Sequence, residues 1–220
     1  MTTPGSATWA YDRETIKVKY ASDIAFTETV KAIQARKGSR QLYARMEQQG
    51  GWQTDISSEL AAFVARQRSF YLATANADGQ PYIQHRGGPP GFLKVIDKRT
   101  LVFADFRGNR QYISQGNLAD NPRAFIFLMD YYSKIRFKLW GQAEVIEDQP
   151  DLLAALMSAQ GEYPARGEQV VIFRVDAWDR NCPQHIPQWL DPEQAEALLA
   201  GRDQRIAELE EQVSQLKARG

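Results

Sequence analysis

The sequence predicts a mainly β, α+β domain: a small antiparallel barrel of at least six strands with helices before and after it. Three observations carry this reading. Runs rich in β-branched and aromatic residues follow one another from Ser69 to Asp179, separated by turn residues. The first third instead spaces its apolar residues at the period of a helix. Barrel closure is the economical way to leave so many short strands without exposed edges.

Taken in order, residues 1 to about 20 are polar and carry Thr, Pro and Gly, which suits an arm lying over something else. Ile24, Phe26, Val30 and Ile33 then follow a helical spacing that Gly38 ends, and a second helical piece covers Gln41 to Gln49 before Gly50-Gly51. SSELAAFVARQRS has an N-cap serine, Ser57 or Ser58, an early Glu59, and Leu60, Phe63 and Val64 on one face. SFYLATAN and QPYIQHR flank Asp78-Gly79 as the arms of a tight hairpin, because Asp-Gly supplies positive φ angles. FLKVIDKRTLVFADF repeats the form around Asp97-Lys98-Arg99. AFIFLMDYY, KIRFKLWGQAEVIE and QVVIFRVDAWD supply the remaining strands, with helices at ISQGNLADNP and PDLLAALMSAQ. In the tail, Leu199, Ile206 and Val213 share one heptad position and Leu209 and Leu216 the other, which fits either a surface helix or a helix paired with another chain.

Composition narrows the function classes. The 220 residues carry 27 Lys and Arg against 27 Asp and Glu, so any basic site is local and nothing in the balance points to nucleic acid or an anionic membrane. One cysteine, Cys182, excludes an internal disulfide framework and fits a reducing compartment, the cytoplasm by default. No apolar run has the length of a membrane span or the form of an export signal. His85 and His185 are the only histidines, so no metal spacing exists. P-loop, GxGxxG, HExxH and GxSxG patterns are absent too.

What remains is a clustering of cationic and small residues in and around the strands. Arg107, Gly108, Asn109, Arg110 and Gln111 lie where a strand ends and a helix begins, a place that offers unpaired N–H donors and arginine forks to a phosphate. The plain alternative is a turn with solvated arginines. Lys134, Arg136 and Lys138 alternate with Ile135, Phe137 and Leu139, so one face of that strand is cationic, calling for an anionic ligand, an acidic neighbour or water. Trp140 beside them fills core or walls a planar ring, core being the better fit. The run YIQHRGGPPGFLKV interrupts a strand with residues that cannot continue it; Gly87 and Gly88 lack a Cβ and allow close approach, while Pro89-Pro90 stiffens the bend.

Together these strands and motifs resemble the pyridoxamine 5'-phosphate oxidase-like family of FMN-binding split barrels, over about residues 57 to 190. NLADNPRAFIFL is similar to that family's helix-to-strand junction, and HRGGPPGF with NCPQHIP resembles a subgroup of FMN-binding flavoproteins. The resemblance implies a six-stranded antiparallel split β-barrel of Greek-key type, a homodimer, and FMN in grooves at the subunit interface. It places Asn109, Arg110 and Gln111 at the FMN phosphate, Lys94 and Asp105 on strands lining the flavin, and Arg136 and Lys138 among its inward polar residues. Arg86, beside Gly87 and Gly88, stands for the family's strand arginine; Cys182 and His185 would approach the ring across the interface, unless their loop is only structural. Between Glu147 and Asp176 the chain lacks the family's Ser-Arg-Pro substrate pattern, and no Arg-Leu-His closes it, which argues against pyridoxamine phosphate oxidation.

The expectation is therefore a cytoplasmic, homodimeric FMN flavoprotein acting as an oxidoreductase on a small-molecule electron donor or acceptor. Isoalloxazine itself takes up hydride or electrons, so no catalytic side chain needs to be visible. The expected layout is an arm and helical extension over 1–56, the barrel over 57–190 and a C-terminal helix over 191–220. Two alternatives stand beside this: an F420-dependent reductase, with Arg13, Lys17, Lys19, Arg36, Lys37 and Arg40 tracking the longer acidic tail, and a non-catalytic flavin-binding interaction protein.

Overall fold

The computed structural model describes residues 19–161, 163–180, 183–190 and 192–218. The expected arm over the first residues, with Arg13 and Lys17, and the candidate Cys182 lie outside the described residues.

A short 3-10 turn, Ala21–Ile24, leads to α1 (Glu28–Arg36) and α2 (Arg40–Gln48), followed by α3 (Ser58–Arg66). The single helix expected around Ile24 to Ile33 is thus broken in two. Thr27 caps α1, its Oγ1 accepting from the Val30 N–H at 3.3 Å, and so starts a new helix there. Ser57 caps α3 in the same way through Leu60 at 3.2 Å, which turns Leu60, Phe63 and Val64 inward. Seven strands follow: β1 (Ser69–Ala75), β2 (Pro81–Gly87), β3 (Lys94–Val95), β4 (Thr100–Phe106), β5 (Arg123–Asp130), β6 (Ile135–Ile146) and β7 (Gly167–Arg180). Between them lie α4 (Ile113–Asp120) and α5 (Pro150–Ser158), and α6 (Pro192–Ala218) ends the fold.

All pairings are antiparallel, in the order β2-β1-β5-β6-β7-β4-β3. The architecture agrees with the expected split-barrel class, with two differences in detail. The sheet has seven strands rather than six, and among the described residues its edges β2 and β3 do not pair to close it. The physical reason lies in Gly88 to Gly91: Pro89 and Pro90 have no N–H to give a ladder, so β2 stops at Gly87 and β3 shrinks to two residues. The first hairpin also differs from the tight two-residue turn expected. Five residues, 76–80, connect the strands; Gly79 alone takes a positive φ, 83°, and the Asn76 side chain accepts from the Gln80 N–H at 2.9 Å.

Alternation sorts the strands into two faces. Phe70, Leu72, Leu101, Phe103, Ile126, Leu128, Phe137, Leu139, Phe173 and Val175 point inward and are buried, roofed by Leu60, Phe63 and Val64 of α3 and by Phe92 and Leu93. Each such side chain contributes about 2 kcal/mol by leaving water. A smaller cluster on the opposite side of β4 and β7, Val102, Ala104 and Val170, is covered by Leu156 of α5. The helical extension docks on the outer face of β6, where Trp52 stacks on Trp140 at 4.4 Å and 19° and Phe26 packs on Trp52; it is tied to β7 by the inward-facing Trp178, whose indole donates to the Asp55 carbonyl at 2.9 Å.

Candidate functional site

The end of β2 and the end of β4 form a cleft of ≈ 190 Å³, lined among others by Gln84, Arg86, Gly87, Asp105, Arg107 and Gly108. Arg86 and Asp105 both fall on the inner side of the pleat, since Arg86 pairs with the inward Phe70 and Asp105 with the buried Gln169. The Arg86 guanidinium forms an ion pair with Asp105, and the other Asp105 oxygen accepts from the Gln169 amide at 3.0 Å. Their side chains are only 16% and 12% exposed, so the pair sits in a medium where charges interact more strongly than in water. Arg86 Nε is buried without a hydrogen-bond partner among the described residues, a donor left over for a ligand.

The cleft runs out to the exposed loop 107–112 that enters α4. Two residues of this loop, Arg110 and Tyr112, take left-handed backbone conformations at φ 60° and 54°, uncommon for residues with a Cβ. Side chains hold the bend. Arg110 Nε donates to the Tyr112 hydroxyl at 3.0 Å, and that hydroxyl donates to Glu168 at 2.9 Å; the Asn109 side chain accepts from the Gln111 N–H at 3.3 Å. The Tyr112 hydroxyl, with the Glu168 carboxylate behind it, raises the Arg110 pKa still further above its ordinary value. Tyr112 caps α4 without a side-chain acceptor, so first-turn N–H groups of α4 stay open to an anion. Ser114 of α4 donates to Gln84 of β2 at 3.0 Å and ties this loop to the cleft.

The sequence candidates therefore divide into two groups. Arg86, Gly87 and Asp105 line the cleft, with Asn109, Arg110 and Gln111 on the loop at its mouth. Arg136 and Lys138 lie elsewhere, on the outer face of β6, opposite Met129 and Phe127 of β5. There Lys138 pairs with Asp179 at 2.8 Å and lies over the Trp52 and Trp140 rings at 5.4 and 5.3 Å. An acidic neighbour and aromatic faces thus answer the charge of that residue. Arg136 Nε is buried with no hydrogen-bond partner among the described residues, and Lys134 precedes the strand in a turn with φ 55°. Lys94 is on β3 opposite Val102, and His185 is exposed with φ 61°.

Two readings of single residues change. The space that a Cβ on Gly88 needs is taken by the Phe92 ring, 2.6 Å away, so this glycine serves core packing. Trp140 belongs neither to the barrel core nor to a ligand wall, since it lies under Trp52 of the extension. Sequence reasoning passed over Trp52, Tyr112 and Gln169, which hold Lys138, Arg110 and Asp105. For Tyr112 the adjacency to Arg110 was a usable signal; Trp52 and Gln169 lie too far along the chain to give one.

On the outer face, pairing aligns His85, Tyr71, Phe127, Lys138 and Asp179 in one row across five strands. His85 meets Tyr71 edge to face at 5.6 Å, and Ile83, one row away, is 61% exposed. Among the described residues no group of His, Cys, Asp and Glu is arranged to hold a metal ion, and no helix is long and apolar enough to cross a membrane.

Comparison with known proteins adds the family. No curated protein sequence matches the chain. Solved structures give loose likenesses. HupZ of Group A Streptococcus is 22% identical, covering 61% of this chain and 99% of that one at a TM-score of 0.46. A Lactobacillus delbrueckii protein described as a candidate pyridoxamine 5'-phosphate oxidase is 21% identical, over 58% and 95% of the chains, at 0.44. An FMN-binding protein of Syntrophomonas wolfei is 12% identical, over 70% and 96%, at 0.41. The family described as pyridoxamine 5'-phosphate oxidase matches residues 56–182, more than half the chain and the whole of the cleft, its loop and the seven strands, and the chain belongs to that family.

Proposed function

We propose that this protein holds FMN noncovalently at the cleft between β2 and the loop entering α4, and uses it to exchange hydride or electrons with a small molecule. The observation that carries the reading is the loop 107–112: two left-handed residues and the Arg110–Tyr112–Glu168 chain hold a cationic fork at an open helix start. That arrangement suits a phosphate ester. The residues present fit the group, since the buried Arg86 Nε beside the same loop is a donor still in need of an acceptor.

Bound FMN supplies the electron chemistry itself. The chain's part is to bind and orient. Asn109, Arg110 and Gln111 take the phosphate with the first N–H groups of α4. Asp105, steadied by Gln169, holds the Arg86 guanidinium in one orientation, which leaves its Nε directed by the pair and not by solvent. The reading includes a homodimer, and the exposed Tyr71 and Ile83 on the outer face of β1 and β2 are apolar groups available to a second copy. Strict pyridoxamine phosphate oxidation is not part of it, for want of the Ser-Arg-Pro and Arg-Leu-His patterns. F420 finds less support: of the cations suggested for its tail, Arg40 is already engaged by Glu47 and Gln34.

The test is the absorption spectrum of the purified protein, then titration with FMN, riboflavin and F420 read by fluorescence quenching and thermal shift. FMN should bind, and Arg110→Ala should weaken it by roughly tenfold or more, the usual worth of a charged hydrogen bond, while riboflavin, lacking the phosphate, should change little. Reduction of the bound flavin by NADH or NADPH then separates an enzyme from a flavin carrier. A colourless protein whose melting and FMN fluorescence are both unaffected by mixing defeats the proposal.

A further inference from the structure

The last helix, α6, leaves the body almost at once. Near its start Arg68 reaches Glu193 at 3.2 Å, but residues 196–218 are exposed along their whole length. At 1.5 Å per residue that stretch projects by roughly 35 Å. A solitary helix of this kind gains little from its own hydrogen bonds, and its stability in proteins comes from burying one face. Here Leu199, Ile206, Leu209, Val213 and Leu216 are all at least 43% exposed and form one stripe.

We infer that α6 pairs in parallel and in register with α6 of a second copy of this chain, as a short two-stranded coiled coil. The residue types select this occupant. Ile206 and Val213 are β-branched at one core position, and Leu209 and Leu216 are leucines at the other, the distribution that favours two parallel strands. Flanking charges agree. With Ile206 at the first core position, Arg205 lies at the g position and Glu210 at the following e position, so an in-register parallel pair sets each Arg205 against the partner's Glu210. An antiparallel pair centred on the same seam sets Glu210 against its own copy instead. Arg205 now reaches Glu208 at 2.8 Å, an exposed pair within one helix that costs little to exchange. Arg202 occupies the core position before Ile206; its long stem can carry the charge out to solvent, and it limits the tight seam to the stretch that follows. The inference does not depend on what the cleft binds.

The test uses the full chain with Cys182→Ser as background and single cysteines introduced as Ile206→Cys or Leu216→Cys, with Glu211→Cys on the outward face as control. These two core sites lie about 15 Å apart along the helix, so both can meet their own copy only in a parallel, in-register pair. Under mild oxidation both should form interchain disulfides at least about tenfold faster than the control, since the geometry of the bond demands close Cα atoms. Adding Arg205→Glu should slow both, and Arg205→Glu with Glu210→Arg should restore them. Cross-linking at one site alone, at neither, or equally at the control overturns the inference, as do equal rates in the single and double charge variants. Helical circular dichroism of each variant shows that α6 is still formed.

Discussion

Arg86 on β2 and Asp105 on β4 join the two arms of an open sheet, since β2 is one edge and β4 stands next to the other. Five steps of hydrogen-bonded strand separate them along the sheet, yet their side chains meet inside it. The pair acts as a side-chain substitute for the missing ladder. Removing one partner strands a charge that is mostly buried, and Arg86→Met should cost about 2 to 4 kcal/mol in denaturant unfolding. Asp105→Leu added to Arg86→Met should recover much of this, because two apolar groups leave no orphan charge. Strictly additive losses in the double-mutant cycle contradict a direct coupling between the two.

Gly88 is the tightest approach in the β2–β3 connection. A Cβ there meets three atoms of Phe92 at 2.6 to 2.9 Å, and Phe92 is 1% exposed, stacked on Phe70 at 5.6 Å. Gly88→Ala should therefore destabilise by about 1 to 3 kcal/mol, the range for overpacking a core. Phe92→Leu in the same chain should relieve part of the strain. If thermal melting of Gly88→Ala matches the parent, the glycine is not required by packing.

Acid should loosen the helical extension at Asp23. Asp23 pairs with Lys31 at 2.9 Å and accepts from the Lys19 and Tyr20 N–H groups at 2.9 and 3.0 Å. Burial pushes its carboxyl upward, but the Lys31 ammonium and the two backbone N–H groups outweigh this and hold it below the ordinary carboxylate value. A depressed folded pKa gives stability that is complete above the unfolded value and lost as pH falls through the folded one. Amide exchange in α1 should speed up over that acid range. Asp23→Asn should remove the pH dependence and cost about 1 to 2 kcal/mol at neutral pH. An Asn variant with the same acid response points to another carboxylate.

The helix caps and the strand alternation were legible because neighbours in sequence decide them. Ser57 stands three residues before Leu60, and every second residue of β1 must share a face. The cationic loop before α4 was legible for the same reason, since Arg107 to Gln111 are contiguous. Which distant residues meet was not. Trp52 on Trp140, Gln169 on Asp105 and the choice of the inner face for Arg86 follow from strand order and register, and a shift of one residue would send each to the other side of the sheet. The Gly-Pro run announced an interruption, and its consequence appears only in three dimensions. Without N–H groups from Pro89 and Pro90 the sheet stays open between β2 and β3, and an ion pair spans what a strand did not.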